Sequence, residues 1–248
     1  MYRPFLKVRD VPSRGRSSMV LGLRSGRVHH YLSDLEYKVH ILAEYDPNVE
    51  DIREQFALLP WQDTQDIADS LGIRHPIYPG TKTPVVMTSD LVLTLVGSHY
   101  NKHAVISVKP SKEIAPDNPK AHRCLEKLLI EKSYWSRRGT PWKVVTERDI
   151  NHTRFYNLNN TRAAIIAWEL DHLNVHMPAF LELFNKHWDH DVSLNQILSS
   201  TAKRIGIGTY ECFMLFGRAI WQKLLPVNID SYVIRHNYPV PKAPSHGW

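Results

Sequence analysis

The sequence predicts an α/β chain in which a mixed sheet with flanking helices comes first and a mainly helical part follows. Three observations carry that prediction. The stretch from Thr88 to Pro110, TSDLVLTLVGSHYNKHAVISVKP, holds two β-rich alternating segments around turn residues. An amphipathic helical pattern opened by Asn118-Pro119 runs to about Arg138 and is followed by the strand-like WKVVTE from Trp142, so strand, helix and strand make a crossover beside the hairpin. From Asn151 onward the periodicity is helical throughout, which sets residues 1–150 and 151–248 apart as expected domains.

Taken in order, SRGRSSMVLGLRSGRVHHYLSDLE places Arg14, Arg16, Arg24 and Arg27 around the short apolar run Met19 to Leu23. This reads as a loose hairpin whose arginines either contact phosphates or form a solvated surface. A helix is expected from near Ser33, with Leu35, Val39 and Leu42 as its apolar stripe and Asp46-Pro47-Asn48 as its stop. Ser33 followed by Glu36 matches a capping box, which gives Glu36 a local structural role. DIREQFALLP reads as a strand, and QDTQDIADSLGIRHP as a short helix stopped by Gly72.

In the hairpin, a turn centred between His99 and Tyr100 sets Asp90 across from Lys109 and Val92 across from Ser107. Side chains alternate along a strand, so Ser107 and Lys109 share the face that Asp90 shares across the ladder. That edge is either an ordinary cross-strand ion pair or the wall of an active site. On the long helix, Cys124, Leu128, Glu131 and Trp135 form one stripe, which turns Glu131 inward while Glu126 projects elsewhere. An inward carboxylate needs a basic partner at the rim or a functional reason.

The second part offers helices at Arg162 to Leu173, Pro178 to His187, Ser193 to Ile205 and Thr209 to Leu225. Gly206-Ile207-Gly208 between the last two resembles the turn of a helix-turn-helix, with Arg218 and Lys223 on the second helix. The apolar weight of that helix equally suits a plain bundle or a protein-docking module. The tail RHNYPVPKAPSHGW reads as extended or flexible.

A net charge of +6 over 248 residues favours a polyanionic partner. Two cysteines, Cys124 and Cys212, give neither a disulfide framework nor zinc-ligand spacing. The N-terminus lacks an apolar signal core and no apolar run approaches the roughly 20 residues a bilayer requires, so a cytoplasmic protein without membrane association is expected. His172 and His176 lack the glutamate of a zinc-protease helix, and HWDHD at His187 to Asp191 looks ligand-rich in a turn, but histidine so often serves as surface or cap that neither is counted as a metal site. There is no glycine-rich phosphate loop.

RVHHYLSDLE, DIREQFALLP, MTSDLVL, VISVKP and LEKLLIEKSYW, in that order from about Asp10 to Asn151, resemble the TnsA family, the endonuclease subunits of heteromeric cut-and-paste transposases of bacteria. The resemblance implies a restriction-endonuclease-like fold of the PD-(D/E)xK class. Carried over residue by residue, it places the helix carboxylate on Glu36, the first strand's aspartate on Asp90, the lysine on Lys109 and the second helix glutamate on Glu131. One position departs: where such nucleases carry Gln, Glu or Asp two residues before the lysine, this chain has Ser107. A hydroxyl is a weaker ligand for a hard cation than a carboxylate.

The resemblance further implies Mg²⁺, with Mn²⁺ able to substitute, held by Glu36, Asp90 and the Val108 carbonyl. It implies double-stranded DNA of transposon ends as substrate, contacted by Arg14, Arg16, Arg27, Lys112 and Arg123. It implies cleavage at the 5′ ends while a DDE-type transposase processes the 3′ ends, and an AAA+ ATPase regulator as a further partner. Two other readings stand beside it: a stand-alone restriction-like or repair nuclease, and a catalytically inactive scaffold, for which Ser107 is the best argument.

Overall fold

The computed structural model describes residues 2–10, 16–97 and 102–244. The chain divides into two compact units, Met1–Ile150 and Asn151–Trp248. In the first, a small antiparallel pair, β1 (Ser18–Leu21) and β2 (Val28–Tyr31), leads into helix α1 (Asp34–Tyr45). Then come β3 (Val49–Ala57), α2 (Gln62–Ser70), β4 (Thr88–Leu95), β5 (Lys102–Val108), α3 (Ala121–Ser136) and β6 (Trp142–Val145). The main sheet runs in the order β3, β4, β5, β6, antiparallel at the first two junctions and parallel at the last. Helix α3 is the crossover that the parallel pair requires.

Strand β4 is central, and Leu91, Val92 and Leu93 on both of its faces are buried. One face carries Val92 and Val105 into a core with Leu58, Ile67, Ala68, Met87, Ile130, Tyr134 and Trp135. Each large apolar side chain removed from water there contributes about 1.5–3 kcal/mol, so α2 and α3 are pinned to this face. Past the end of α3 the chain turns through Gly139 at φ +63, a left-handed conformation that glycine adopts without strain.

The hairpin register differs from the expectation by two residues. Val92 pairs with Val105 and Leu91 with Ile106, which brings Asp90 level with Ser107 instead of Lys109. A shift of two leaves every side chain on its predicted face. The expected turn centre at His99-Tyr100 lies outside the described residues. In α1 the buried stripe is Glu36, Val39, His40, Ala43 and Glu44, while Leu35 and Leu42 are only half-buried. Polar groups, not the leucines, turn inward, because the neighbouring strands offer them partners.

The second unit consists of α4 (His152–Thr161), α5 (Ala163–Ile166), a 3₁₀ run Trp168–His176, α6 (Met177–His187), α7 (Leu194–Ile205) and α8 (Thr209–Trp221). Helix α4 was not expected from its asparagine-rich sequence. Asn151 caps it by accepting from Arg154 N at 2.9 Å, and buried Asn157 donates to Ile229 O and Tyr232 O. Helix α8 is buried from Cys212 to Trp221 except at Phe213. A β-carbon on Gly217 would meet the Ala164 Cβ at 2.6 Å, so that helix contact is open to glycine alone. Arg218, placed on the second helix of the helix-turn-helix-like pair, is buried and donates to Ala164 O, Ala167 O and Asn174 Oδ1. Helix α8 is thus packed into the helical bundle along most of its length, with Thr209 and Tyr210 of its first turn exposed. The proline-rich tail is extended but tied down, with Leu194 N donating to Tyr238 O at 2.9 Å and Ala243 N to Pro226 O at 2.7 Å. Among the described residues no helix is long and apolar enough to cross a membrane.

Candidate active site

The site is assembled where β4 and β5 end beside α1 and α3. Asp90 Oδ2 accepts from the Val108 amide at 2.7 Å and from Lys109 Nζ at 2.8 Å, and Lys109 Nζ also donates to Val108 O at 2.9 Å. Glu131, buried on α3, accepts at Oε1 from Ser107 Oγ at 2.5 Å and from Ser89 Oγ at 2.6 Å. Ser89 is fixed in turn by Trp135 Nε1 at 2.8 Å. Glu36 accepts at Oε1 from Ser33 Oγ at 2.8 Å and at Oε2 from Leu32 N at 3.0 Å and Gln55 Nε2 at 3.2 Å. The local reading of Glu36 is realised in modified form, because it reaches back to the amide before the cap, and its buried carboxylate also faces the site.

These four groups feel one another. Burial and the Asp90 charge push the Glu36 carboxyl up to about 7, with Lys109 pulling against them. Burial and Asp90 also raise Glu131, opposed by the hydroxyls of Ser107 and Ser89. Burial alone would lower the Lys109 ammonium, but its ion pair and hydrogen bond with Asp90 hold it above its ordinary value. Lys109 thus pairs directly with Asp90, and the charges of Glu131 and Glu36 act on it as well. Asp90, Glu36 and the Val108 carbonyl are hard oxygen donors, and the site has an excess of negative charge for a divalent cation to offset, so these residues fit a hard metal ion such as Mg²⁺.

Ser107 does not stand as a ligand of its own. Its hydroxyl is engaged by Glu131, and the helix thereby brings a carboxylate to the position where the strand offers only an alcohol.

The basic residues expected at phosphates separate. Arg14 lies outside the described residues. Arg16 is exposed, 4.0 Å from Asp34 at the start of α1. Lys112 is exposed on the turn Ser111–Glu113, just past Lys109. Arg123 is half-buried and bonded to Glu126 at 2.7 Å. Arg27 corrects the expectation: it is buried, and its guanidinium is held by Glu54 at 2.7 and 2.8 Å and by Ile52 O at 2.5 Å. An arginine so engaged cannot reach a phosphate.

That contact belongs to a cluster the sequence reading missed. Glu54 is fully buried and also accepts from the His29 ring at 2.9 Å and His30 N at 3.1 Å. Burial pushes the Glu54 carboxyl up, but hydrogen bonds from His29 and Arg27 outweigh it and hold it at about 2. Alongside, Tyr31 Oη and His40 Nδ1 lie 2.6 Å apart, and Glu44 accepts from Leu23 N at 2.6 Å. The missed signal was the spacing of four between Glu36, His40 and Glu44 on one helix face. In the second unit, Asp189, His190 and Asp191 bring ligand atoms within 4.8 Å of one another, all exposed.

Comparison with known proteins places this geometry. The family model described as TnsA-like endonuclease N terminal matches residues 46–147. The match includes Asp90, Ser107, Lys109 and Glu131, while Glu36 precedes it. The transposon Tn7 transposition protein TnsA of Escherichia coli is 41% identical over 150 residues, covering 60% of this chain and 52% of that relative. The chain thus spans about half the length of the curated relative it matches. The first unit, which carries the whole carboxylate and lysine cluster, is similar to TnsA-like endonucleases over residues 46–147.

Proposed function

We propose that this chain is the endonuclease subunit of a heteromeric transposase, hydrolysing phosphodiester bonds at the 5′ ends of a mobile element. The observation that carries the reading is the pairing of Lys109 with Asp90, with the charges of Glu131 and Glu36 acting on it as well, inside a segment similar to TnsA. Mg²⁺, or Mn²⁺ in its place, would be held by Glu36, Asp90 and the Val108 carbonyl, and when bound supplies a water of lowered pKa and neutralises charge on the phosphate. Glu131, held by Ser107, adds the carboxylate that β5 lacks.

In the reaction the oxygen of water adds to phosphorus and the bond to the leaving oxygen breaks. Lys109, ion-paired with Asp90, orients the attacking water or takes its proton, or stabilises charge in the transition state. Arg16, Lys112 and Arg123 hold the duplex through phosphates, which gives salt-dependent affinity with little sequence preference. A DDE-type transposase acting at the 3′ ends supplies end recognition. The helical unit serves docking, an AAA+ ATPase regulator among its partners, since α8 is committed to the bundle core.

The test is strand-specific cleavage of a labelled transposon-end duplex with Mg²⁺ and the partner transposase, using the wild-type chain and Asp90→Ala. Selective loss of 5′ nicks in the variant, by roughly 10²–10³-fold or more, is expected. Unchanged 5′ cutting would exclude Asp90 and overturn the mechanism. Cutting by the chain alone would favour a stand-alone nuclease, and no cutting by either form would favour an inactive scaffold.

A further inference from the structure

Gln55 is buried in the middle of β3 with φ +48, a left-handed conformation that L residues other than glycine and asparagine seldom take. The sheet is irregular at the same place. Glu54 pairs with Leu91 and Phe56 with Ser89, so the register sets Gln55 level with Asp90, yet that one rung is absent between two paired ones. The backbone on either side is clamped: Tyr2 Oη donates to Glu54 O at 2.7 Å, and Phe5 N donates to Gln55 O at 3.1 Å. The side chain released from the ladder donates from Nε2 to Glu36 Oε2 at 3.2 Å and accepts from Thr88 Oγ1 at 3.3 Å. A strained conformation that persists in a buried strand is held there by its surroundings, and such positions cluster at functional sites.

We infer that Gln55 is a positioning residue of the nuclease site, a role that rests on the proposed function above. It fixes the Glu36 carboxylate so that one oxygen, Oε2, is saturated by Leu32 N and Gln55 Nε2, while Oε1 carries, among the described residues, the Ser33 hydroxyl and stays open to a cation. An amide suits this task. A lysine or arginine at the same place would cancel the charge that a metal ion needs, whereas a neutral donor orients the carboxylate and leaves its charge intact.

The experiment measures Mn²⁺ binding to the full chain, without DNA, by calorimetric titration, beside thermal melting and the Mg²⁺ concentration for half-maximal cleavage. Gln55→Met keeps the side-chain length and removes the amide. Gln55→Gly removes the amide and relieves the backbone at once. Both variants are expected to weaken Mn²⁺ binding and raise the half-maximal Mg²⁺ by roughly 10- to 100-fold. Gln55→Gly should melt no lower than Gln55→Met, which separates lost positioning from lost folding. Glu36→Ala and Asp90→Ala are the controls. If they lose Mn²⁺ binding while both folded Gln55 variants bind as wild type, the inference about Gln55 is overturned and the nuclease site stands. If the controls also bind as wild type, the site assignment itself has failed.

Discussion

Two buried acidic clusters lie within one residue of each other on β3, and they are built to opposite ends. Glu54 is surrounded by donors: Arg27 on both of its oxygens, His29 and the His30 amide. Its carboxyl is held at about 2 although burial opposes ionisation. Glu36, reached by the Gln55 amide next along the strand, faces another carboxylate instead, and its carboxyl is pushed up to about 7. The first cluster is closed and its charges are matched. The second is left short of positive charge. Burial is common to both, so what separates the two acids is whether the charge is already answered by the protein, and that is the ground on which Glu36 is proposed as functional.

Exchanging each glutamate for glutamine gives the largest test of that contrast. Glu36→Gln should fold as well as wild type or better, since it removes a buried like-charge repulsion, and should lose cleavage by at least roughly 10²-fold. Glu54→Gln should leave Arg27 buried without its charge partner and lower stability by about 3–5 kcal/mol, measured by denaturant unfolding. Equal stability losses in the two variants would erase the distinction.

The pH dependence sharpens it, because the two groups have opposite signs. The Glu54 carboxyl is depressed in the folded chain, so its stabilisation is present above the ordinary value of 4.5 and is lost as pH falls toward about 2. The Glu36 carboxyl is raised, so the folded chain binds the extra proton. Its contribution is fully present below 4.5 and is lost as pH rises toward about 7, an effect of up to about 3 kcal/mol. Unfolding free energies of metal-free protein between pH 5 and 8 should therefore fall less steeply with pH in Glu36→Gln than in wild type, Glu131, also raised, adding to the fall in both.

Ser107→Ala removes one of the two hydroxyls on Glu131 and is expected to cost about 1–2 kcal/mol of stability, with a fall in cleavage smaller than that of Glu36→Gln. Full activity with unchanged stability would show that Ser89 alone suffices. The smallest effect belongs to Lys112→Ala, where DNA affinity should weaken evenly across sequences and the slope of log affinity against log salt should drop by about 1.

Much of the site was legible in the sequence because it follows simple periods. Strand alternation put Asp90 on the face of Ser107 and Lys109, and helical spacing turned Glu131 inward. The two-residue error in register came from the turn, yet it spared the faces since the strand period is itself two. Gln55 was not legible. A left-handed residue in mid-strand is signalled by glycine or asparagine, and glutamine carries no such mark. Arg27 was misread because an arginine beside glycine and serine looks like surface, and only the fold brings Glu54 against it. Helix α4 was hidden by asparagines whose side chains turned out to hold the tail in place.

The Ser107 and Glu131 pair has a mechanical consequence. In a nuclease whose acid sits on the strand, the sheet alone sets the catalytic spacing. Here one of the acids rides on α3, which is seated by Leu128, Ile130, Tyr134 and Trp135 against the sheet. The alignment of the chemistry is thus only as good as that seating, and an ångström of helix displacement at a reacting centre can reduce rate by about 10²-fold. Conservative changes at Ile130 or Tyr134, which touch neither DNA nor metal, become tuning screws for turnover.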